Sequence, residues 1–405
     1  MELETFDTGL QTAAPHEVGF DPSRLQLLSD AFAARVSAGR LAGAVIAVMR
    51  QGHVCWADVV GYRDTEHGVG MTADSLFRLY SMTKPIASVA AMILVEQGRL
   101  LLSDPVSNWL PSFANQKVVV APREGGQNVT LVPAQTPATI RDLLRHTAGL
   151  QNEVLFESTP VKELYQRAGL GSGKLSLAEW TDILGAQPLA YQPGTVFDYS
   201  HATAVLGRVI EVASGESLDS FIARNVTGPL EMRDTVFQIP EAEWSRLAEP
   251  TIDPTTQERP RLLNLKKRPV LLSAGAGMAG TARDYLRFCA MLLNGGKLDG
   301  SRILSPATVT YMLSDHLAGI RRDTTSGQVL LGGYGFGLGF AVRTSMGEAA
   351  FPGSVGDAHW GGMAGTQFWV DPKRELAVIM MIQQPAELIS TWHLLRQMVY
   401  AAMTD

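Results

Sequence analysis

Ser81 Met82 Thr83 Lys84 Pro85 Ile86 Ala87 Ser88 Val89 Ala90 Ala91 Met92 Ile93 Leu94 Val95 sets a serine and a lysine three residues apart at the head of the most apolar helical pattern in the chain. With eight lysines and 25 serines in 405 residues, about half an SxxK match arises by chance, so the tetrapeptide decides nothing by itself. Its setting decides more. A three-residue spacing stacks the lysine ammonium beside the serine hydroxyl on one helical face, and proline is tolerated in a first turn. A lysine buried there loses its charge by desolvation and can take the serine's proton. The helix N-terminus favours negative charge developing at Ser81. The competing reading is a solvated lysine beside a helix cap.

Outward from this helix, the chain changes character in both directions. Before it, Asp21 Pro22 followed by Leu25, Leu27, Leu28, Ala31, Phe32 and Val36 predicts an N-capped amphipathic helix ending near Gly39. Ala44 to Met49 and Val54 to Val60 then read as a strand pair. Beyond it, Ile140 to His146, Leu177 to Leu184 and Ala202 to Ala213 read as short helices, and Gln116 to Pro137, with Gly125 Gly126 inside it, as a surface loop. Strand signals return at Gly337 to Arg343, Gln367 to Val370 and Leu376 to Gln383, the last two around an Asp371 Pro372 turn, before a closing helix over Leu388 to Met403. The order of helix, strands, helices, strands, helix predicts an α+β fold. Its antiparallel sheet is built from both chain ends and flanked by helices, with an all-helical insert. The expected division is 1–80 with 266–405 as one discontinuous domain and 81–265 as a mainly helical one, with a cleft between them.

Composition excludes several classes. At 46% hydrophobic and 18% charged, the chain is too apolar to remain unfolded. Its 34 basic against 40 acidic residues, net charge −6, provide no field for nucleic acid, and Lys266 Lys267 Arg268 is a single short basic run. Pro85 to Val95 is about half the length of a membrane span, so no membrane partner is expected. The start, Met1 Glu2 Leu3 Glu4 Thr5 Phe6 Asp7, is acidic where a secretory signal is basic, which predicts a cytoplasmic protein. Cys55 and Cys289 lack CxxC spacing, which argues against a disulfide framework or a zinc site.

Two further segments carry chemistry. Tyr199 follows a Gln192 Pro193 Gly194 turn and precedes a helix, where a loop can push a phenol into a cleft. Gly356 Asp357 Ala358 His359 Trp360 Gly361 Gly362 Met363 Ala364 Gly365 enters the strand that ends at Val370, and glycines before an edge strand let a ligand approach a free backbone N–H. A packing tyrosine and a simple turn are the plain alternatives. GxSxG, HExxH and the phosphate-binding GxxxxGK[ST] are absent. Gly275, Gly277 and Gly280 satisfy GxGxxG, but without alternating strands and helices around them they read as a close-packed wall before a helix beginning at Thr281.

Taken jointly and in this order, the three elements resemble the serine β-lactamase and penicillin-binding-protein-like superfamily, and within it the class C β-lactamase-like esterases called family VIII carboxylesterases. The resemblance extends over nearly the whole chain, including Thr139 Ile140 Arg141 Asp142 Leu143 Leu144 Arg145 His146 Thr147 Ala148 Gly149 Leu150, the Gln192 Pro193 Gly194 turn and Ser273 to Leu286, segments it implies are scaffold. It implies that Ser81 is the nucleophile and that Lys84 and Tyr199 activate it. Lysine and tyrosine each titrate near pH 10 in water, so the two share protons and neither is the base alone. It implies an oxyanion hole from the Ser81 amide and a second amide, Gly362 or Met363 according to alignment, and no metal or cofactor.

Two departures from the β-lactamase pattern bear on substrate. Tyr-x-Asn reads Tyr199 Ser200 His201, and Lys-Thr-Gly reads Trp360 Gly361 Gly362. A site lacking that cation has little reason to prefer an anionic antibiotic ring, and Trp360 supplies an apolar wall suited to uncharged esters. The expectation is a carboxylesterase acting on short- to medium-chain small-molecule esters. Alternatives are an acyltransferase to an alcohol, a weak β-lactamase or peptidase, and a non-catalytic binding protein. His201 and His359 are expected to be structural.

Overall fold

The computed structural model describes residues 6–120 and 129–405; the Met1 to Thr5 start and the Gly125 Gly126 pair lie outside them. Helix α1 (Pro22–Ser37) begins where Asp21 accepts the Ser23 amide and Pro22 occupies the first turn. It buries Leu25, Leu28 and Phe32, which recur at helical spacing. Strands β1 (Gly43–Arg50) and β2 (His53–Asp64) form a hairpin through Gln51 Gly52, and β3 (Val69–Gly70) extends it. Every residue of β1 is buried. Its apolar run from Ala44 to Met49 is what a strand covered on both faces needs.

The C-terminal region supplies β4 (Tyr334–Phe336), β5 (Ala341–Arg343), β6 (Ala358–Gly361), β7 (Gln367–Asp371) and β8 (Leu376–Met381). The sheet order is β4-β5-β6-β7-β8-β1-β2-β3, antiparallel throughout. β1 pairs with β8 from Val45 opposite Met381 to Arg50 opposite Leu376, so the two chain ends meet mid-sheet. The strand expected over Gly337 to Arg343 is instead the turn and second arm of a hairpin. Gly337 donates to Phe340 O, and Gly339 turns the chain with φ of +97°.

Alternation along β7 assigns the two faces. Phe368 meets Tyr285 of α4 (Ala282–Leu293) at 4.8 Å, whereas Trp369 meets Trp392 of α5 (Leu388–Ala401) at 5.3 Å. α1 packs beside α5. On that face, Arg343 and Arg396, both fully buried, share Asp357 Oδ2 at 2.9 and 3.1 Å. The Arg396 guanidinium lies 4.6 Å from the rings of both Trp369 and Trp392.

Between the two strand groups the chain is mainly helical, with α2 (Thr83–Glu96) packed on α3 (Ala202–Ser214). The stretch read as a loop over Gln116 to Pro137 is a correction: Lys117–Val120 pairs with Thr130–Pro133 as a ribbon. Its Lys117 Val118 Val119 Val120 and Thr130 Leu131 Val132 arms are rich in β-branched residues, which favour extended pairing. Among the described residues no helix is long and apolar enough to cross a membrane.

Candidate active site

The serine comes at a strained corner. Tyr80 is left-handed, with φ of +46°, and its hydroxyl accepts the Leu263 amide at 2.9 Å. A 3-10 turn, Tyr80–Met82, then carries Ser81 into α2. Lys84, one turn on and 6% exposed, donates from Nζ to Ser81 Oγ at 3.1 Å and to Gly275 O at 2.6 Å. The second contact is possible because Phe77 and Arg78 pair with Gly280 and Ala279, Leu79 N donates to Met278 O, and Met278 N donates to Thr83 Oγ1. The run expected to be a glycine wall thus also supplies a lysine acceptor. Nothing in residue identity signals that, since the group is a carbonyl.

Tyr199 arrives from the turn before α3. Its hydroxyl donates to Ser81 Oγ at 2.8 Å, and its ring centroid lies 4.8 Å from Lys84 Nζ. Ser81, Lys84 and Tyr199, 118 residues apart at the extremes, therefore converge on one oxygen. The loop at 320–330 docks beside them, with Phe197 N donating to Arg321 O at 2.8 Å and Thr324 Oγ1 to Asp198 Oδ1 at 3.2 Å. Burial raises the Asp198 carboxyl above its usual range, opposed by hydrogen bonds from Gln151, Ser326 and Thr324.

The third element is a strand, not the approach to an edge. β6 lies between β5 and β7, but its pairing with β5 ends at His359 opposite Ala341. Trp360 and Gly361 therefore run past β5 with that edge open, while β7 continues to pair on the other side. At Gly362 a Cβ would collide with Leu79 O, so only glycine lets this strand end press against the segment leading to Ser81. Thr366 Oγ1 donates to the same Leu79 oxygen at 3.3 Å. The Gly362 amide is committed to Thr366 O at 2.7 Å. The next amide, of Met363, whose side chain is 50% exposed, has no acceptor among the described residues.

Trp360 is 4% exposed. Its ring packs on Tyr199 at 5.1 Å and against Phe336 at 5.2 Å, so it backs the phenol more than it walls an open cleft. His201, at the third position of the tyrosine motif, is bound to buried Glu153 and lies edge-on to Trp180 at 4.9 Å. His359 is buried beneath the sheet against Tyr334 and Trp392. Burial, then the charges of Arg396 and Arg343, hold it well below the usual imidazole value. Neither histidine bonds to Ser81. Sequence reasoning did not single out Tyr80 or Leu263, and it assigned the segment containing His146 to scaffold.

A family model described as Beta-lactamase matches residues 28–395. Esterase EstB of Burkholderia gladioli is 33% identical over 402 residues, an alignment covering 91% of this chain and 95% of EstB. The structure of EstCE1, titled a hydrolase with promiscuous acyltransferase activity, superposes with a TM-score of 0.76 at 30% identity, covering 93% of this chain and 99% of EstCE1. Simvastatin synthase LovD of Aspergillus terreus superposes with a TM-score of 0.78 over 93% of this chain and 98% of LovD. At 22% identity it is a likeness of fold alone.

Proposed function

The chain belongs to the beta-lactamase family and is a serine hydrolase, and from that premise we propose that it is a carboxylesterase working through an acyl-enzyme on Ser81. Its esterase and acyltransferase relatives set the chemistry at ester hydrolysis or acyl transfer. The observation that carries the finer reading is the convergence of Lys84 Nζ and Tyr199 OH on Ser81 Oγ, at 3.1 and 2.8 Å. A hydroxyl between two groups able to exchange protons is the arrangement an activated nucleophile requires.

In this mechanism Ser81 Oγ attacks the ester carbonyl while its proton passes to the Lys84 and Tyr199 pair. The carbonyl becomes an oxyanion held by the amides of Ser81 and Met363. We assign Met363 over Gly362 because the Gly362 amide is already bonded to Thr366 O. Collapse breaks the bond to the alkoxy oxygen, which leaves as alcohol with the proton the pair returns. Water, deprotonated by the same pair, then cleaves the acyl-enzyme and regenerates Ser81. Trp360, Gly361 and Gly362 bring no cation to the cleft, which supports uncharged short- to medium-chain esters over anionic antibiotics. The reading sets the cleft between residues 81–265 and the unit formed by 1–80 with 266–405.

The test is intact-mass spectrometry after brief incubation with p-nitrophenyl esters of graded chain length, beside a penicillin, on wild type and Ser81→Ala. An acyl adduct and alcohol release that both require Ser81 are the expected result. Substantial ester turnover by Ser81→Ala overturns the reading. Acyl transfer is the second reading, favoured by the EstCE1 likeness. Product partition with added alcohol separates it from hydrolysis.

A further inference from the structure

One buried imidazole beside the site has no part in the chemistry above. His146 is 1% exposed, its backbone is left-handed with φ of +56°, and its ring centroid lies 4.8 Å from that of Tyr199. Its carbonyl oxygen accepts the Asp198 amide at 3.0 Å, and its Nδ1 accepts the Ser200 amide at 3.2 Å. The amides of the two residues flanking Tyr199 are therefore tied to a single residue, with that residue's ring against the phenol between them. Phe197 and Phe336 stand edge-on to the imidazole at 6.2 and 5.5 Å. Because Nδ1 accepts, the proton of the neutral ring is on Nε2, 3.4 Å from Thr203 Oγ1.

We propose that His146 is a positioning residue for Tyr199, clamping its backbone on both sides and bracing its ring so that the hydroxyl stays on Ser81 Oγ. The proposal rests on the reading of Tyr199 as one of the proton-exchanging pair. An imidazolium could not serve, since both its nitrogens would be donors and the Ser200 amide would lose its acceptor. Burial, then the nearby charge of Lys84, hold the ring well below the usual histidine value, so it is neutral at neutral pH.

A double-mutant cycle tests this on the full chain, with kcat and KM measured for a p-nitrophenyl ester. His146→Phe keeps a ring but no acceptor. His146→Asn keeps an acceptor near Nδ1 and tolerates the left-handed backbone. The expected result is a fall in kcat of about 10- to 100-fold for His146→Phe, with KM changed by less than about threefold and most of the loss recovered in His146→Asn. In a Tyr199→Phe background the same His146→Phe change costs less than about threefold, because the group being positioned is gone. Equal losses in both backgrounds, or a loss confined to KM, overturn the proposal. If His146→Phe does not fold, as judged by circular dichroism, His146→Ala replaces it in the cycle. Full kcat in Tyr199→Phe alone refutes the assignment of Tyr199 and the His146 proposal with it, a result distinct from additivity.

Discussion

Lys84 Nζ donates to Gly275 O at 2.6 Å, a shorter contact than the 3.1 Å to Ser81 Oγ. The lysine is therefore held by a main-chain oxygen 191 residues away in sequence and presented to the serine from there. Under the proposed mechanism, replacing it by alanine removes one member of the proton-exchanging pair and leaves the Gly275 carbonyl without the lysine donor. The expected loss in kcat is about 10²- to 10⁴-fold, the ordinary worth of a positioned general base, read by steady-state kinetics. Arginine should not rescue, because its guanidinium does not deprotonate near neutral pH.

The oxyanion assignment is tested through the backbone. Met363→Ala leaves the amide and should retain kcat, whereas Met363→Pro removes the N–H and should lower kcat by about 10²- to 10³-fold, the cost of one such donor. Equal activity in the two variants, at matched thermal stability, would return the role to another amide.

Asp357 is the only carboxylate found bonded to the buried guanidinium groups of Arg343 and Arg396 among the described residues. Asp357→Ala leaves two cations uncompensated in the sheet's covered face, and breaking such a cluster typically costs about 3–5 kcal/mol. Urea unfolding followed by circular dichroism should record that loss. Activity per folded molecule should change far less than stability, because the cluster is on the α5 face and Ser81 at the head of α2.

The pH dependence of stability follows from His146 and His359, both held well below the ordinary value of 6.5 by burial first. Below that value the unfolded chain takes up protons that the folded protein refuses, so stability is present above about pH 6.5 and is lost as pH falls from there. Each group contributes a slope of up to about 1.4 kcal/mol per pH unit. Denaturant titrations between about pH 7.5 and pH 5.5 should therefore show a steep decline, shallower in His359→Phe. An unchanged slope in that variant would show that His359 charges as readily in the folded protein as in the unfolded.

How far the sequence reaches is clearest at Ser81 and Lys84. Their relation depends on one turn of one helix, and helical geometry makes residues three apart neighbours whatever else the chain does. The same locality made α1 readable from Asp21 Pro22 and β1 from its unbroken apolar run. The family resemblance supplied Tyr199 and the 360–363 loop as candidates, but not which amide was free. That depended on Gly362 donating to Thr366 O across a turn and on β6 outrunning β5. Nor could composition indicate that Gly275 would contribute a carbonyl, that Trp360 would lie buried behind the phenol, or that residues 117–120 would find 130–133. Each of these is a contact between segments distant in sequence, fixed by strand register and backbone approach. Residue identity encodes local geometry and burial, whereas main-chain hydrogen bonds are chemically alike at every position and acquire meaning only when the fold brings their partners together.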